Sequence, residues 1–305
     1  ATAMVSPSSV LRVADVDGDG IDDIVALIEF EVPSPGDGDA LLVLARGNPA
    51  AAVDEQPFFE PTVVALAHGK ATSFALGDFA AAVPGQPVQL ELALAVPEPA
   101  VSNGLDGDHV RFYRYVAGPT PAEDHFEPSH APNGPQVLLA GSKPTRVAAD
   151  DFDGDGLVDL MVAAAGDASL RLFRNIALPT PTNGGEVEID AFQEAESSTR
   201  ALSPGFPTQL RLGDVNGDGT VDVLVAVEST TSTLGTSLAF YVSEEPGLLG
   251  EANFVSPSRL GDREAAMALD LGDYNRDSVL DLFIGWDTAI NARDRNVRVL
   301  FGGSR

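Results

Sequence analysis

Aspartate and asparagine side chains recur at alternating positions in four short segments of this 305-residue chain. The segments read DVDGDGIDD from Asp15, DFDGDGLVD from Asp151, DVNGDGTVD from Asp214 and DYNRDSVLD from Asp273. Each segment places acidic or amide oxygens at positions 1, 3, 5 and 9 of a nine-residue loop. Oxygen ligands at alternating positions of a tight turn suit a hard cation such as Ca2+. The sequence therefore predicts about four calcium ions, one in each loop.

The predicted ligands are the side chains at positions 1, 3, 5 and 9 and the backbone carbonyl at position 7. An apolar run follows every loop, so we expect each ion to have a structural role beside a β-strand. The predicted metal-binding residues are Asp15, Asp17, Asp19, Ile21 and Asp23 in the first loop, Asp151, Asp153, Asp155, Leu157 and Asp159 in the second, Asp214, Asn216, Asp218, Thr220 and Asp222 in the third, and Asp273, Asn275, Asp277, Val279 and Asp281 in the fourth.

An EF-hand is excluded, although the first six positions fit its loop. An EF-hand needs a bidentate glutamate at position 12 and a helix on each side. Short segments rich in Val, Ile, Leu and Phe flank these loops, and such segments favour strands. A solvated acidic turn is the other alternative, since Asp and Gly are common in turns. Position 12 is occupied by Ala26, Val162, Val225 and Ile284.

The spacing of the loops indicates a repeated structural unit. The motif begins at residues 15, 151, 214 and 273, so the last two intervals are 63 and 59 residues and the first is 136, about twice as long. A fifth unit is therefore expected near residue 78, where the sequence reads ALGDFAAAVPG. Asp78 stands at position 1 there, but Ala and Pro replace the later ligands. We interpret this unit as one that has lost its ion.

The fold class predicted from these repeats is all-β. Strand-like segments follow the loops at 41, 111, 171, 238 and 297, and aromatic segments follow in turn at 57, 125, 191 and 253. Five units of about 61 residues with four strands each fit a single β-propeller domain over residues 1–305, a fold in which radial repetition leaves short, protected edges. We expect N- and C-terminal half-blades to pair and close the ring. A solenoid is the alternative, although its repeats are usually shorter.

At these loops the chain resembles the FG-GAP or VCBS repeats of bacterial secreted proteins, which are related to the propeller of integrin α subunits. Their signature, D-x-[DN]-x-D-G-x-x-D before an apolar strand, is matched closely by DFDGDGLVDLMVA and DVNGDGTVDVLVA and nearly as well by DVDGDGIDDIVAL. The fourth loop has Arg276 and Ser278 at positions 4 and 6, where the other three loops have glycine. The resemblance implies a calcium-binding β-propeller. Family members often have seven blades, so part of a seven-bladed ring is the alternative to five blades.

Composition limits the classes of partner. The 46 acidic and 18 basic residues give a formal net charge of −28, and nucleic acid is an unexpected partner because phosphate binding needs basic patches. The chain has no cysteine and no apolar stretch approaching the length of a membrane span. Calcium loops suit the millimolar calcium outside the cytosol. We expect a monomeric protein that is secreted or displayed on the cell surface, and the Ala, Arg and Pro bias is typical of a bacterium.

Two further groups of residues are candidate sites. The segment AEDHFEPSH holds Glu123, Asp124, His125, Glu127 and His130, which could bind a transition metal or form a solvated loop. The alternating side chains of Arg111, Tyr113 and Tyr115 share one face of a strand. That face could stack on a sugar or belong to the core.

The function favoured by the sequence is an extracellular adhesion or interaction module whose partner is a protein or a glycan, with no catalytic residue predicted. An enzyme that acts on polysaccharides, a lyase or a hydrolase, is one alternative because related calcium-loop propellers occur in lyases. A purely structural spacer within a larger surface protein is the other. Fold alone does not decide among these functions.

Overall fold

Among the residues that the structure describes, five antiparallel sheets form the blades of a five-bladed β-propeller, as the sequence predicts. The computed structural model describes a set of sixteen residue ranges of the chain. The prediction that terminal half-blades close the ring remains a prediction, because residues 1–9 lie outside this set. The described ranges are 10–29, 40–51, 57–66, 71–79, 90–97, 109–131, 134–135, 137–176, 191–195, 199–202, 205–229, 236–243, 245–249, 252–255, 265–287 and 297–302.

The first two blades precede residue 140. The first blade has the strand order β1-β2-β3-β4, with β1 at Val10–Ala14, β2 at Asp23–Glu29, β3 at Ala40–Ala45 and β4 at Thr62–Leu66. The second blade contains β5 at Ser73–Gly77, β6 at Glu91–Val96, β7 at His109–Val116, β8 at His125–Pro128 and β11 at Val137–Leu139, and both β8 and β11 pair with β7. A 3-10 turn at Pro121–Glu123 and a short hairpin of β9, His130–Ala131, and β10, Gly134–Pro135, complete this region.

The other three blades follow in chain order. The third blade contains β12 at Pro144–Asp150, β13 at Asp159–Ala164, β14 at Ser169–Ile176, β15 at Ala191–Glu194 and β16 at Arg200–Ala201. The fourth has β17 at Gly205–Gly213, β18 at Asp222–Ser229, β19 at Thr236–Tyr241 and β20 at Ala252–Val255. The described part of the fifth has β21 at Ala265–Gly272, β22 at Asp281–Asp287 and β23 at Val297–Leu300.

The aromatic segments predicted from the repeat form the outer strands of three blades, as β8, β15 and β20. In the first blade the strand begins instead at Thr62, and Phe58 makes only an isolated bridge to Gly47. The apolar runs after the loops become the second strand of each blade. Every residue of β6 and of β13 is buried, as expected for strands that are covered on both faces.

The chain divides into two compact units, residues 1–147 with 175–192 and residues 148–174 with 193–305. The first unit has a core that includes Leu42, Phe74, Leu92 and Tyr113. The rings of Phe79, Phe112 and Phe192 pack together in the same unit, with centroids 5.3–5.9 Å apart. The second unit has two core clusters, which include Met161, Leu172, Val225 and Tyr241 in one and Leu224, Leu238, Leu269 and Ile284 in the other.

In four of the blades, the strand register places the connection between the first two strands at the same point. The residue that ends the first strand pairs with the residue that begins the second. These pairs are Ala14 with Asp23, Gly77 with Glu91, Gly213 with Asp222, and Gly272 with Asp281. The register of the second blade therefore agrees with the repeat phase that was inferred from Asp78. Among the described residues, no helix has the length and apolar character needed to cross a bilayer.

Candidate metal centre

Each predicted loop is the turn between the first two strands of its blade, and its backbone bends at positions 4 and 6. In the first three loops these positions are glycines with φ between 75° and 87°, a region that L-residues rarely adopt. A Cβ atom at Gly219 would meet no atom within 4 Å, so conformation and not space selects glycine there. The glycines are Gly18 and Gly20, Gly154 and Gly156, and Gly217 and Gly219.

The fourth loop keeps the same bend without glycine. Arg276 and Ser278 have φ values of 65° and 71° at positions 4 and 6. The fourth loop therefore keeps the backbone conformation of the other loops, but two residues with side chains adopt the strained left-handed region. Left-handed backbone costs an L-residue about 1–2 kcal/mol.

Replacing Arg276 by glycine is expected to raise the free energy of unfolding by about 0.5–1 kcal/mol. The substitution removes the left-handed strain, and the larger entropy of glycine in the unfolded chain offsets part of the gain. Denaturant unfolding measures the difference. Arg276→Ala is the matched control, because alanine retains the strain, and a glycine variant no more stable than the alanine variant would contradict the prediction.

The position-1 carboxylate binds backbone amides inside its own loop. Asp15 Oδ1 accepts hydrogen bonds from the amides of Gly18, at 2.9 Å, and Asp19, at 3.1 Å, while Oδ2 accepts one from Gly20 at 2.8 Å. Asp151 and Asp214 make the same three contacts in their loops. In the fourth loop Asp273 accepts hydrogen bonds from Asp277 and Ser278. The loop conformation thus follows from its own residues.

The side chains at positions 3 and 5 each accept a hydrogen bond from the amide two residues later. The amide of Asp19 donates to Asp17, at 3.2 Å, and that of Ile21 donates to Asp19, at 2.9 Å. Leu157, Thr220 and Val279 repeat the position-7 contact. These bonds orient the side chains that the sequence predicts as ligands. Whether the carbonyl at position 7 binds an ion stays a prediction.

Carboxylates converge in the first two loops. One oxygen from each of Asp15, Asp17 and Asp19 lies within 4.8 Å of the others in the first loop. One oxygen from each of Asp151, Asp153 and Asp159 does so in the second. Two oxygens bound to one Ca2+ at 2.3–2.6 Å lie at most about 5 Å apart, so hard oxygen donors at this spacing fit the ion.

The third and fourth loops have an amide at position 3 in place of a carboxylate. Asn216 Nδ2 donates to Asp218 at 2.8 Å, and Asn275 Nδ2 donates to Asp277 at 2.9 Å. The amide oxygens accept from the backbone amides of the same aspartates, so asparagine keeps the turn of the other loops. Each of these loops still has three carboxylates, at positions 1, 5 and 9, and amide oxygens are also calcium ligands.

The position-9 carboxylate is buried in every loop and has a second role that the sequence did not predict. Asp222 is 2% exposed. Its Oδ2 accepts a hydrogen bond from the amide of Val215, at 3.0 Å, and its Oδ1 accepts one from Ser243 just beyond the third strand, at 2.8 Å. Asp23 bonds Val16 and Gly47 in this way, and Asp281 bonds Tyr274 and Gly302. This carboxylate therefore joins its loop to the third strand of the blade.

The second blade keeps this buried carboxylate as a glutamate. Glu91 begins β6 and is 8% exposed. Its Oε2 accepts a hydrogen bond from the amide of Phe79 at 2.8 Å, as Asp222 does from Val215. Asp78 is described, but residues 80–89 are not, so the predicted loss of an ion there lies outside the described residues. The buried carboxylate is thus shared by a blade whose acidic loop motif is missing.

Burial is the largest influence on the pKa of two position-9 carboxylates, Asp23 and Asp222. It raises the pKa of Asp222, and hydrogen bonds from Ser243 and Val215 oppose the rise. Burial likewise raises the pKa of Asp23 and of Asp17, with nearby Arg46 among the opposing effects. A cation beside these groups would favour their charged forms. Arg46, like Glu91, is a residue that the sequence analysis did not assign to the site. It contacts three carboxylates of the first loop.

The other two candidate sites differ from the loops. Arg111, Tyr113 and Tyr115 are all at most 6% exposed, so their shared face belongs to the core and is not a surface for stacking on a sugar. In the segment AEDHFEPSH, Asp124 contacts Arg46 and Glu127 contacts Arg114, so these carboxylates bind arginines. The side chain of His130 lies outside the described residues.

One comparison with known proteins matches the residues of the loops. A sequence model described as the FG-GAP-like repeat matches residues 151–225 and 214–284, which hold the second, third and fourth loops. Curated proteins give no match. Among solved structures, the chain is similar to the N-terminal domain of Nup170 in the crystal structure of the Chaetomium thermophilum Nup170–Nup53 complex, with 12% identity and a TM-score of 0.46. The alignment covers 96% of this chain and 38% of that chain.

Proposed function

The chain belongs to the FG-GAP repeat family, and from that premise we propose that it is an extracellular interaction module whose blade loops hold structural calcium. A repeat propeller of this family is in general a protein-interaction module. The finer proposal is that the partner is a protein or a glycan, and that the protein is secreted or displayed on the cell surface, where millimolar calcium is present.

The observation that carries the calcium assignment is the convergence of Asp151, Asp153 and Asp159 within 4.8 Å. Three carboxylates at this distance repel one another, and their own backbone hydrogen bonds offset only part of that repulsion. Calcium would supply two positive charges at the point where the oxygens meet. The chain's own amides hold the loop in shape, so little ordering would accompany binding.

The charge of the protein supports the same class of partner. Its formal net charge is −28, and four ions would return eight positive charges. The remaining charge disfavours nucleic acid and favours a basic protein surface or a ligand whose own oxygens complete the coordination of a bound ion. Calcium would then act on binding in two ways, by stabilising the folded protein and by reducing the repulsion between the acidic surface and an acidic partner.

The test is binding of the labelled protein to a glycan array and to a panel of bacterial and host surface proteins, in 2 mM calcium and in EDTA. We expect a specific partner in calcium and at least a tenfold weaker interaction in EDTA. A variant with Asp151→Ala and Asp153→Ala, which lacks two predicted ligands in one loop, should show an intermediate loss. Arg171→Ala is the control, because within the described part of the chain Arg171 forms ion pairs with Asp167 and Glu194 and with no residue of the acidic loops. Absence of binding to both panels would contradict the interaction role and favour a spacer.

A further inference from the structure

The guanidinium group of Arg46 lies against three acidic side chains of the first loop. Arg46 follows β3 directly, and its side chain is 8% exposed. Nη2 contacts Asp17 and lies 2.9 Å from Asp19 Oδ2, and Nε lies 3.4 Å from Asp23 Oδ1. The group therefore stands beside positions 3, 5 and 9, which are side chains that the sequence assigns to calcium.

The other edge of the same guanidinium contacts the second blade within the first unit. Nη1 contacts the Asp124 carboxylate and donates to the Tyr115 hydroxyl at 3.0 Å. Asp124 is 3% exposed, and its second oxygen accepts a hydrogen bond from the amide of Gly118 at 2.6 Å. One buried cation is thus shared by four carboxylates, from the first loop and from the segment that precedes β8.

The charge of Arg46 is well supported by these neighbours. Burial alone lowers the pKa of Arg46, but Tyr115, Asp17, Asp23 and Asp124 outweigh burial and raise the pKa above its ordinary value. Separating a buried arginine from its carboxylate partners costs free energy, because the buried carboxylates then lack a compensating positive charge. A calcium ion in the first loop would have to displace the guanidinium and leave Asp124 without its cation.

The other acidic loops differ at the corresponding position. Continuation of the strand register places Arg46 opposite Asp23, Arg174 opposite Asp159, Val242 opposite Asp222, and Phe301 opposite Asp281. Val242 and Phe301 carry no charge. Arg174 is 41% exposed, lies 3.4 Å from Asp153, and donates to the carbonyl of Gly247 at 3.0 Å. A half-exposed side chain with one carboxylate contact among the described residues is less costly to displace than the buried guanidinium of Arg46.

We propose that the guanidinium of Arg46 is the resident cation of the first loop, and that it replaces calcium there while joining the first blade to the second. The protein then has calcium sites in the second, third and fourth loops, and three ions instead of four. The count of three ions rests on the proposed function, because it assumes that the other three loops bind calcium. The role of Arg46 itself does not depend on it.

The first arm of the test counts bound calcium by equilibrium dialysis with radioactive calcium. Asp17→Asn with Asp19→Asn is expected to leave the number of ions unchanged. The matched pair in the second loop, Asp153→Asn with Asp155→Asn, is expected to lower the number by one. Loss of one ion from the first-loop pair would overturn the proposal.

The second arm removes the guanidinium. Arg46→Gln is expected to raise the number of bound ions by one, because three carboxylates lose their cation, whereas Arg174→Gln should leave the number unchanged. An unchanged number in a folded Arg46→Gln protein would overturn the proposal. If the variant does not fold, the first arm decides.

The third arm separates this inference from the proposed function. In EDTA, loss of a buried ion pair should lower the Tm of Arg46→Gln by about 5–10 °C, and that of Arg174→Gln by less than about 2 °C. Should the unaltered protein bind no calcium in dialysis, the calcium part of the proposed function fails. The role of Arg46 as the cation of the first loop then stands or falls on this comparison, and equal melting temperatures for the two variants would overturn it.

Discussion

Replacing Asp222 by alanine is expected to lower the free energy of unfolding by about 3 kcal/mol or more, in EDTA as well as in calcium. The carboxylate is 2% exposed and accepts hydrogen bonds from the amides of Val215 and Ser243. Alanine leaves both amides without this acceptor in a place that water reaches poorly, and each unsatisfied buried donor costs about 1–3 kcal/mol. Denaturant unfolding in each condition measures the loss.

The matched control for this prediction is Asp218→Ala at position 5 of the same loop. Asp218 is exposed, and its backbone contacts are local to the turn. We expect the Asp218→Ala substitution to lower the free energy of unfolding by less than about 1 kcal/mol in EDTA, and to reduce the stabilisation that calcium provides. Equal losses for the two variants in EDTA would show that position 9 has no role apart from the ion.

Glu91→Ala extends the comparison to the second blade. Glu91 is the first residue of the second strand in its blade, as Asp222 is in the fourth blade, and it accepts a hydrogen bond from the amide of Phe79. Its substitution should therefore destabilise the protein by a similar amount at any calcium concentration. A buried carboxylate at the start of the second strand would then be a feature of the blade, which the acidic loops use in addition as a ligand.

The sequence predicts the repeated part of this fold well, because the physical requirements of each loop are local. Positive φ favours glycine at positions 4 and 6, as in the first three loops, and the alternating acidic side chains accept hydrogen bonds from amides within the same nine residues. The position of each loop motif therefore predicts where the first strand of a blade ends and the second begins. The family match over residues 151–284 rests on the same local information.

The residues that the sequence does not reveal act between segments far apart in the chain. Glu91 lies 13 residues after Asp78, whereas Asp23 lies 8 residues after Asp15, so the longer connection takes it out of the motif. Arg46 meets Asp19 across 27 residues and Asp124 across 78. Its segment, LLVLARGN, predicts a strand and contains no sign of an ionic partner. Only the register of the strands shows that arginine faces the loop.

Removing calcium is expected to cause the largest change in stability. An ion that binds the folded chain alone stabilises it by about 2.7 kcal/mol when its concentration is a hundred times Kd. Three ions, in the second, third and fourth loops, would contribute about 8 kcal/mol. For a chain of this size that corresponds to a fall in Tm of about 15 °C when EDTA replaces 10 mM calcium. Calorimetry or circular dichroism would measure it.

Magnesium is the control for this experiment, since it requires a near-ideal octahedron at 2.0–2.1 Å and gives up its water reluctantly. In the second loop, amides of the loop itself already hold Asp151, and one oxygen from each of Asp151, Asp153 and Asp159 lies within 4.8 Å of the others, so the site adapts poorly to a strict octahedron. We therefore expect 10 mM magnesium to restore less than a third of the Tm lost in EDTA, and calcium to restore it fully. A Tm that is the same within about 2 °C in calcium and in EDTA would mean that the backbone hydrogen bonds and the buried position-9 carboxylates hold the blades without any ion.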